Sequence, residues 1–442
     1  MVNSIRRFLF WSFDYVKGNK VNAHYKEINY ILENLNTLKS KEMQERNLER
    51  LLQHAIKTTP YYREDVDSLK ISDFPILNKN KIVEQYDKFK SEEYLDQKNF
   101  SAYTSGSTGT PFKVYHNLNK KHRNLADVIY FSKLSGFQLG DKLFYLRHWD
   151  QYNSKTRFQA WKQNIYMHPV SKLEEHDVKM FLNEIHKTKS GKGILAYASS
   201  LNEIRDYILK YNLQPQKNSG INSVIGMAEA LNGKTKTVLQ EYFGVNVVSR
   251  YSNVENGIIA QQVGENSDFH INWASYYVEI LKLDRDEPVS EGELGRIVVT
   301  DLFNYAMPMI RYDTGDIGLL GYENKNSKQY PVLKKIEGRK LDMIFDSEGK
   351  HISSYAVYHI LKYPNIKQYQ FIQEDEIHYT FKLNVNPEFN SETQIRQEFQ
   401  EILGSRAIIN ILYVDEIPLL SSGKRKFVIN KCSNSTKVLQ ES

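Results

Sequence analysis

The chain has 442 residues, more than one ordinary hydrophobic core accommodates, so two or more domains are expected. Hydrophobic residues make up 40% and charged residues 25%, the balance of a soluble globular protein, and no run of about 18 apolar residues could cross a membrane as a helix. A net charge of +6, spread without a dominant block, argues against nucleic acid as a partner and suits anionic substrates such as nucleotides.

The first element is Ile5-Arg6-Arg7-Phe8-Leu9-Phe10-Trp11-Ser12-Phe13, a basic pair within an apolar stretch. It is too short for a signal h-region and lacks a cleavage site. It reads either as a helix docked on the body or as a helix resting on an anionic membrane surface, a peripheral contact. The one cysteine, Cys432, excludes an intramolecular disulfide and any cysteine-rich metal site. With no signal sequence, the expected location is the cytoplasm, with membrane association limited to its cytoplasmic face.

Leucines at helical spacing predict a helix over 21–57, broken by Thr58-Thr59-Pro60-Tyr61-Tyr62. An alternating series follows: a strand at Val114-Tyr115, a helix at 119–135, a strand at Lys142–Leu146, a helix at 177–187 and a strand at Gly193–Ala198. Helices at 201–211 and 228–243 and a strand at Val245–Ser249 continue it. Strands alternating with helices of this length imply layered α/β architecture around a largely parallel sheet. From about residue 269 the texture turns to strand–turn–strand, with Tyr276–Leu283 and Gly295–Thr300 flanking a turn at Glu291-Gly292-Glu293. After Gly338-Arg339 come a helix at 354–362, a strand at 377–385, a helix at 391–403 and a strand at Ile408–Val414. That makes a compact α+β domain, and the polar residues after Asn430 read as a frayed tail.

The sharpest local feature is Tyr103-Thr104-Ser105-Gly106-Ser107-Thr108-Gly109-Thr110-Pro111-Phe112-Lys113. Gly106 and Gly109 allow close backbone approach, Ser105, Ser107, Thr108 and Thr110 supply hydroxyl donors, and Lys113 follows, a composition able to wrap phosphate oxygens. It is not a Walker A sequence. Gly233-Lys234-Thr235 has that ending, but Ala228 stands where its leading glycine should be. The G-x-S-x-G elbow of serine hydrolases is absent.

This loop resembles the phosphate-binding loop of the adenylate-forming superfamily, which includes acyl- and aryl-CoA ligases, and four further segments match in order. Tyr251-Ser252-Asn253-Val254-Glu255 resembles the motif whose aromatic ring lies against adenine and whose glutamate helps to hold Mg2+, although Ser252 and Val254 replace the usual Gly and Thr/Ser. Tyr312-Asp313-Thr314-Gly315-Asp316 matches the motif whose last aspartate binds the ribose hydroxyls. Gly338-Arg339 resembles the junction whose arginine contacts the nucleotide. Pro418-Leu419-Leu420-Ser421-Ser422-Gly423-Lys424 matches the loop whose lysine bridges carboxylate and α-phosphate. Singly, each has a plain reading: Glu255 as a surface charge, Asp316 as a turn residue, Arg339 as an ion-pair partner, Lys424 as a solvated loop lysine. Five in order carry more weight. The stretch from Gly292 to Leu302, running into Asn304–Tyr312, looks like the phenylacetate-CoA ligase branch, which includes the CapK capsule-biosynthesis proteins.

The resemblance implies a large multi-subdomain N-terminal domain at 1–337, with layered α/β sheets and a small β-rich part from about 269. It implies a hinge at 338–342 and a small mobile C-terminal α+β domain at 343–430 carrying the catalytic Lys424. The hinge position holds Leu341, where the family has Asp or Lys, with Asp342 beside it. The implied reaction joins a small-molecule carboxylic acid to AMP, with ATP and Mg2+ as cofactors and pyrophosphate released. The acceptor is coenzyme A or another thiol, amine or hydroxyl, a glycan precursor included. A non-catalytic nucleotide-binding scaffold is the competing class, opposed by the intact Lys424, Glu255 and Asp316. Tyr145, His148, Trp149 and Tyr197 are candidates for the acid pocket or, more simply, for the core. His270 reads as structural.

Overall fold

A computed structural model describes residues 2–66, 68–104, 112–149, 153–170, 173–283, 285–325, 328–339, 344–352, 357, 360, 363–418 and 427–432. The chain opens with α1 (Val2–Val16), α2 (Lys20–Glu33), α3 (Leu38–Thr58), α4 (Pro60–Asp65) and α5 (Lys79–Glu84). A hairpin of β1 (Phe100–Thr104) and β2 (Phe112–His116) leads into α6 (Leu118–Leu134). The alternating series is β3 (Lys142–Arg147), α7 (Arg157–Gln163), β4 (Ile165–Pro169), α8 (Glu175–Lys187), β5 (Lys192–Tyr197), α9 (Ala198–Lys210), β6 (Ile221–Met227), α10 (Gly233–Phe243) and β7 (Val247–Asn253). Then come β8 (Gly257–Gln262), β9 (Phe269–Ile271), β10 (Tyr276–Leu281), β11 (Leu294–Asp301), β12 (Tyr312–Lys325) and β13 (Lys328–Arg339). The C-terminal elements are β14 (Ile344–Phe345), β15 (His351–Ile352), β16 (Ile366–Gln373), β17 (His378–Val385), α11 (Glu392–Leu403), β18 (Ile408–Tyr413) and β19 (Val428–Asn430).

The expected mixed architecture is present: α/β layers first, a small α+β unit last. The helix expected over 21–57 is two helices. Asn34 ends α2, and the Thr37 hydroxyl accepts the Ser40 N–H at 3.3 Å to start α3, a local cap that outweighs the continuous leucine spacing. The helix expected from 228 begins at Gly233, where the Asn232 side chain accepts the Thr235 N–H. Thr235 is fully buried and its hydroxyl bonds Asn202 and Arg205, so Gly233-Lys234-Thr235 is a capped helix start rather than a phosphate loop. The helix expected at 354–362 and the tail from 433 fall largely or wholly outside the described residues.

One eleven-stranded sheet, in the order β10-β11-β12-β13-β9-β8-β7-β6-β5-β3-β4, spans both textures read from the sequence. The strands β4, β3, β5, β6 and β7 are parallel, and from β7 outward to β10 every pairing is antiparallel. Alternation along the parallel strands sorts their two faces. Phe144, Leu146, Ile194, Ala196 and Val224 pack with the inner faces of α8, α9 and α10, while Tyr145, Leu195, Tyr197, Ile225 and Met227 form a separate cluster on the other face. The C-terminal unit is a four-stranded sheet, β18-β17-β16-β19, whose Phe371, Phe381 and Tyr379 pack on Ile395, Phe399 and Leu403 of α11.

The entry to β12 is fixed by an ion pair between the buried Arg311 and the largely buried Glu279. Arg311, at φ 54°, presents its guanidinium to both oxygens of Glu279 at 3.0 Å and to the carbonyls of Ser72 and Phe74. Its own carbonyl accepts from Leu77 and its N–H donates to the Thr300 hydroxyl, so three segments converge on one residue. Replacing Arg311 with Met leaves the largely buried Glu279 without its cation and is expected to cost about 3 kcal/mol. Urea unfolding checks this; a loss below about 1 kcal/mol would mean that the pair contributes nothing net.

Candidate active site

The parallel strands β3, β5, β6 and β7 end along one edge, where an open α/β sheet forms its crevice. At the end of β7, Val254–Asn256 makes a tight connection into β8, with the Asn253 side chain accepting the Asn256 N–H at 2.8 Å. This turn carries Glu255. His116, at the foot of the β1–β2 hairpin, bonds the Glu255 carbonyl through Nε2 at 2.8 Å. Burial and the Lys120 ammonium hold His116 below its usual range, so the ring is neutral and its Nε2 carries the donated proton. The hairpin is thereby tied to the Glu255 turn. Its register pairs Tyr103 with Lys113 and Thr104 with Phe112.

The segment Tyr312-Asp313-Thr314-Gly315-Asp316 crosses the sheet with a bulge. Arg296 pairs with Ile317 while Val298 pairs with Asp313, so 314–316 stand opposite the single residue Ile297. Gly315 takes φ 77° at the bulge, the conformation that favours glycine, and the Asp313 carboxylate accepts its N–H at 2.9 Å. The Thr314 hydroxyl donates to the Ile297 carbonyl and accepts the Asp316 N–H, closing the irregular loop on itself. These two extra residues re-aim the Asp316 carboxylate toward β7.

There the Tyr251 hydroxyl donates to Asp316 Oδ2 at 2.7 Å and lies 3.2 Å from the Thr314 hydroxyl. Burial first, then the Asp316 charge, push the Tyr251 phenol well above its usual value, so it remains a donor. The Tyr312 hydroxyl donates to Glu255 Oε1 at 3.3 Å. Four residues about sixty positions apart thus form two phenol–carboxylate pairs at one end of the sheet. Arg339 joins them by backbone register, opposite Asp316 across β12 and β13.

Of the residues singled out in the sequence, Tyr251, Glu255 and Asp316 are brought together. Lys113 stands toward the connecting end of its hairpin, its ammonium 4.5 Å from the Tyr115 ring and 5.7 Å from Tyr103. The Ser105–Thr110 loop (Ser105, Gly106, Ser107, Thr108, Gly109, Thr110), the hinge pair Leu341 and Asp342, and Lys424 between β18 and β19 lie outside the described residues. Tyr312, Thr314 and His116 received no role from the sequence. Alternation of 312, 314 and 316 was a usable signal for the first two, and nothing in the sequence pointed to His116. Tyr145 and Trp149 pack edge to face at 5.2 Å with Arg147 beside both rings, at 5.6 and 5.5 Å. Tyr197 is in the core. His270 lies 3.4 Å from Glu323 on the far antiparallel part, a structural pair.

Among the described residues no group of three His, Cys, Asp or Glu side chains could hold a metal by itself. Glu255 is a single hard-oxygen donor, which fits a magnesium shared with phosphates better than an all-protein cage. Burial, and secondarily the Asp316 charge, raise its carboxyl above the usual range. The folded chain therefore holds that proton more tightly than the unfolded chain, and ionising it as pH rises costs the folded state stability. Glu255→Gln should raise the melting temperature of the metal-free protein more at about pH 8 than at about pH 4. Equal gains at both would contradict a raised Glu255.

Residues 344–431 match the CapK C-terminal domain. Protein CapK of Staphylococcus aureus is 21% identical over 415 residues, 88% of this chain and 89% of CapK. The phenylacetate-coenzyme A ligase of Aromatoleum evansii is 22% identical over 434 residues, 90% of this chain and 97% of the ligase. Among solved structures, 2-hydroxyisobutyryl-CoA ligase, in the postadenylation state in complex with R3-HIB-AMP, superposes with a TM-score of 0.71 at 17% identity, covering 92% of this chain and 93% of that one. Over most of its length the chain is thus similar to CapK and to phenylacetate-coenzyme A ligases, and it has the fold of 2-hydroxyisobutyryl-CoA ligase.

Proposed function

We propose that this enzyme activates a carboxylic acid with ATP, forming an acyl-adenylate and pyrophosphate, and then transfers the acyl group to the thiol of coenzyme A. The observation that carries the reading is the convergence of Tyr251, Glu255, Tyr312 and Asp316 at the end of β7. Asp316 would accept the ribose hydroxyls, its carboxylate orientation set by the Tyr251 hydroxyl, with the Tyr251 ring beside the adenine. Arg339, opposite Asp316 in the sheet, would reach the same nucleotide. Lys113 stands on a hairpin anchored to the Glu255 turn, and with the Ser105–Thr110 segment it would bind the phosphates. A magnesium ion on Glu255 would neutralise charge on the triphosphate and favour the ionised form of a carboxyl whose pKa burial raises.

In the first step a carboxylate oxygen attacks the α-phosphorus of ATP, and the bond to the bridging oxygen breaks, so pyrophosphate leaves. Two anions must meet, so the protein chiefly positions them and offsets their charge. Lys424 is the cation assigned to both anionic oxygens. In the second step the thiol sulfur attacks the acyl carbonyl, loses its proton, and AMP departs with the oxygen it gained. Movement of residues 343–430 about 338–342 would withdraw Lys424 between the steps. The likeness to CapK favours a place in capsule or surface polysaccharide synthesis.

Pyrophosphate–ATP exchange dependent on a carboxylic acid checks the first step. Lys424→Ala is expected to lower exchange at least a hundredfold. Undiminished exchange would overturn its role. Asp316→Asn should raise the KM for ATP about tenfold or more with a smaller effect on kcat. A fall in kcat alone would place Asp316 in the chemistry rather than in nucleotide binding.

A further inference from the structure

The first helix is amphipathic in reverse. Its only charged residues, Arg6, Arg7 and Asp14, all turn toward the protein. Arg6 donates to the carbonyls of Trp161 and Lys162 at 3.1 and 3.3 Å, and Arg7 to that of Leu139 at 3.1 Å. Both oxygens of Asp14 accept from the first turn of α2, through the N–H groups of Val21 and Asn22. Asn3 reaches Asp141 and the Gly191 carbonyl, over Gly140, where a β-carbon would collide with the Asn3 backbone. The helix is thus docked on the body, as one reading of the sequence expected.

What the docking leaves outside is apolar. Ile5, Phe8, Leu9, Phe13 and Val16 are exposed along the outer face, with Phe8 70% accessible. Beside them, α7 exposes Phe158 and Trp161, rings stacked at 6.0 Å, with Trp161 66% accessible. Arg6 bonds α1 to α7 at this point, so the two helices present one patch. Isolated exposed apolar residues need no explanation, but a patch of this kind does. Its rim is basic. The ammonium groups of Lys17 and Lys162 sit 4.5 and 5.5 Å from the Phe13 ring, and Arg157 is exposed at the start of α7. The two helices carry a single acid, Asp14, and it is buried.

We infer that the outer face of α1 and α7 is a docking surface for an anionic bilayer. The apolar side chains enter the headgroup–acyl boundary, while Lys17, Lys162 and Arg157 meet lipid phosphates. Aromatic rings flanked by cations, with no exposed acid on either helix, match an anionic interface in both polarity and charge. The enzyme would then work at a membrane surface, which goes beyond the reaction proposed above and does not depend on it.

The purified full-length protein is tested by co-sedimentation with vesicles of phosphatidylcholine alone or mixed with phosphatidylglycerol. Binding is expected on the mixed vesicles, weaker on phosphatidylcholine, and weakened by added salt. Phe8→Ser with Phe13→Ser should lower vesicle affinity at least tenfold, and Lys17→Gln with Lys162→Gln about 25-fold. These side chains point outward, so unfolding temperature and exchange activity should stay at the parent level. In the unaltered protein, brominated lipid should quench tryptophan emission, and Trp161→Phe should remove most of that quenching, a readout independent of the serine variants. No vesicle binding, binding indifferent to phosphatidylglycerol, or absence of quenching would overturn the inference. So would a dimer in solution that the serine pair dissociates without any vesicle binding, which would assign the face to a second copy of the chain.

Discussion

The hydrogen bond from the Tyr251 phenol to the Asp316 carboxylate, 2.7 Å long, joins the last parallel strand to the antiparallel half of the sheet. A carboxylate in such a place needs a donor, because leaving it unpaired costs more than the bond itself contributes. Tyr251 can serve because burial and the neighbouring charge keep its proton in place. The bulge at Gly315 and the tight turn at Glu255 are the backbone irregularities that let the pair form. The putting-together of the site is therefore a matter of where a regular sheet is interrupted.

Interruptions hold only when the surroundings over-determine them. Here Arg311 gathers Glu279, Ser72, Phe74 and Leu77 just before Tyr312, and Arg296 bonds Asp313 at 3.0 Å just after it. On the other side, Lys120 and Asp301 form a fully buried ion pair at 2.6 Å, and Arg123 bonds Ser275 and the Ala274 carbonyl while stacking on Phe303 at 3.9 Å. These charges hold α6 and the N-terminal helices against the strands that bear the site. Rigid support beneath irregular loops is the arrangement that positions groups for catalysis.

Much of this was legible in the sequence, because alternating strands and helices have distinct periods. The parallel strands were found where their apolar runs were dense, as in Lys192–Tyr197, which is buried throughout. The strand β8 escaped because two of its buried residues are glutamines. Gln261 is wholly buried yet bonds Arg250, Ser135 and the Phe131 carbonyl, a satisfaction that hydropathy cannot register. The long hairpin of β12 and β13 was hidden by its charged tip. For the site, short motifs singled out Tyr251, Glu255 and Asp316, which the fold brings together, whereas His116 acts through a backbone carbonyl and left no motif. The orientation of α1 was undecided in the sequence because arginines within an apolar stretch can face either way. Carbonyls on α7 and the 136–140 loop turn them inward.

The proposed reaction turns on one bond, from an acid oxygen to the α-phosphorus of ATP. Turnover of an acid substrate labelled with 18O in its carboxylate, in the presence of coenzyme A, measures this directly. One label should appear in the phosphate of AMP for each acyl group transferred. Label in inorganic phosphate, with ADP as the nucleotide product, or unlabelled AMP would contradict it.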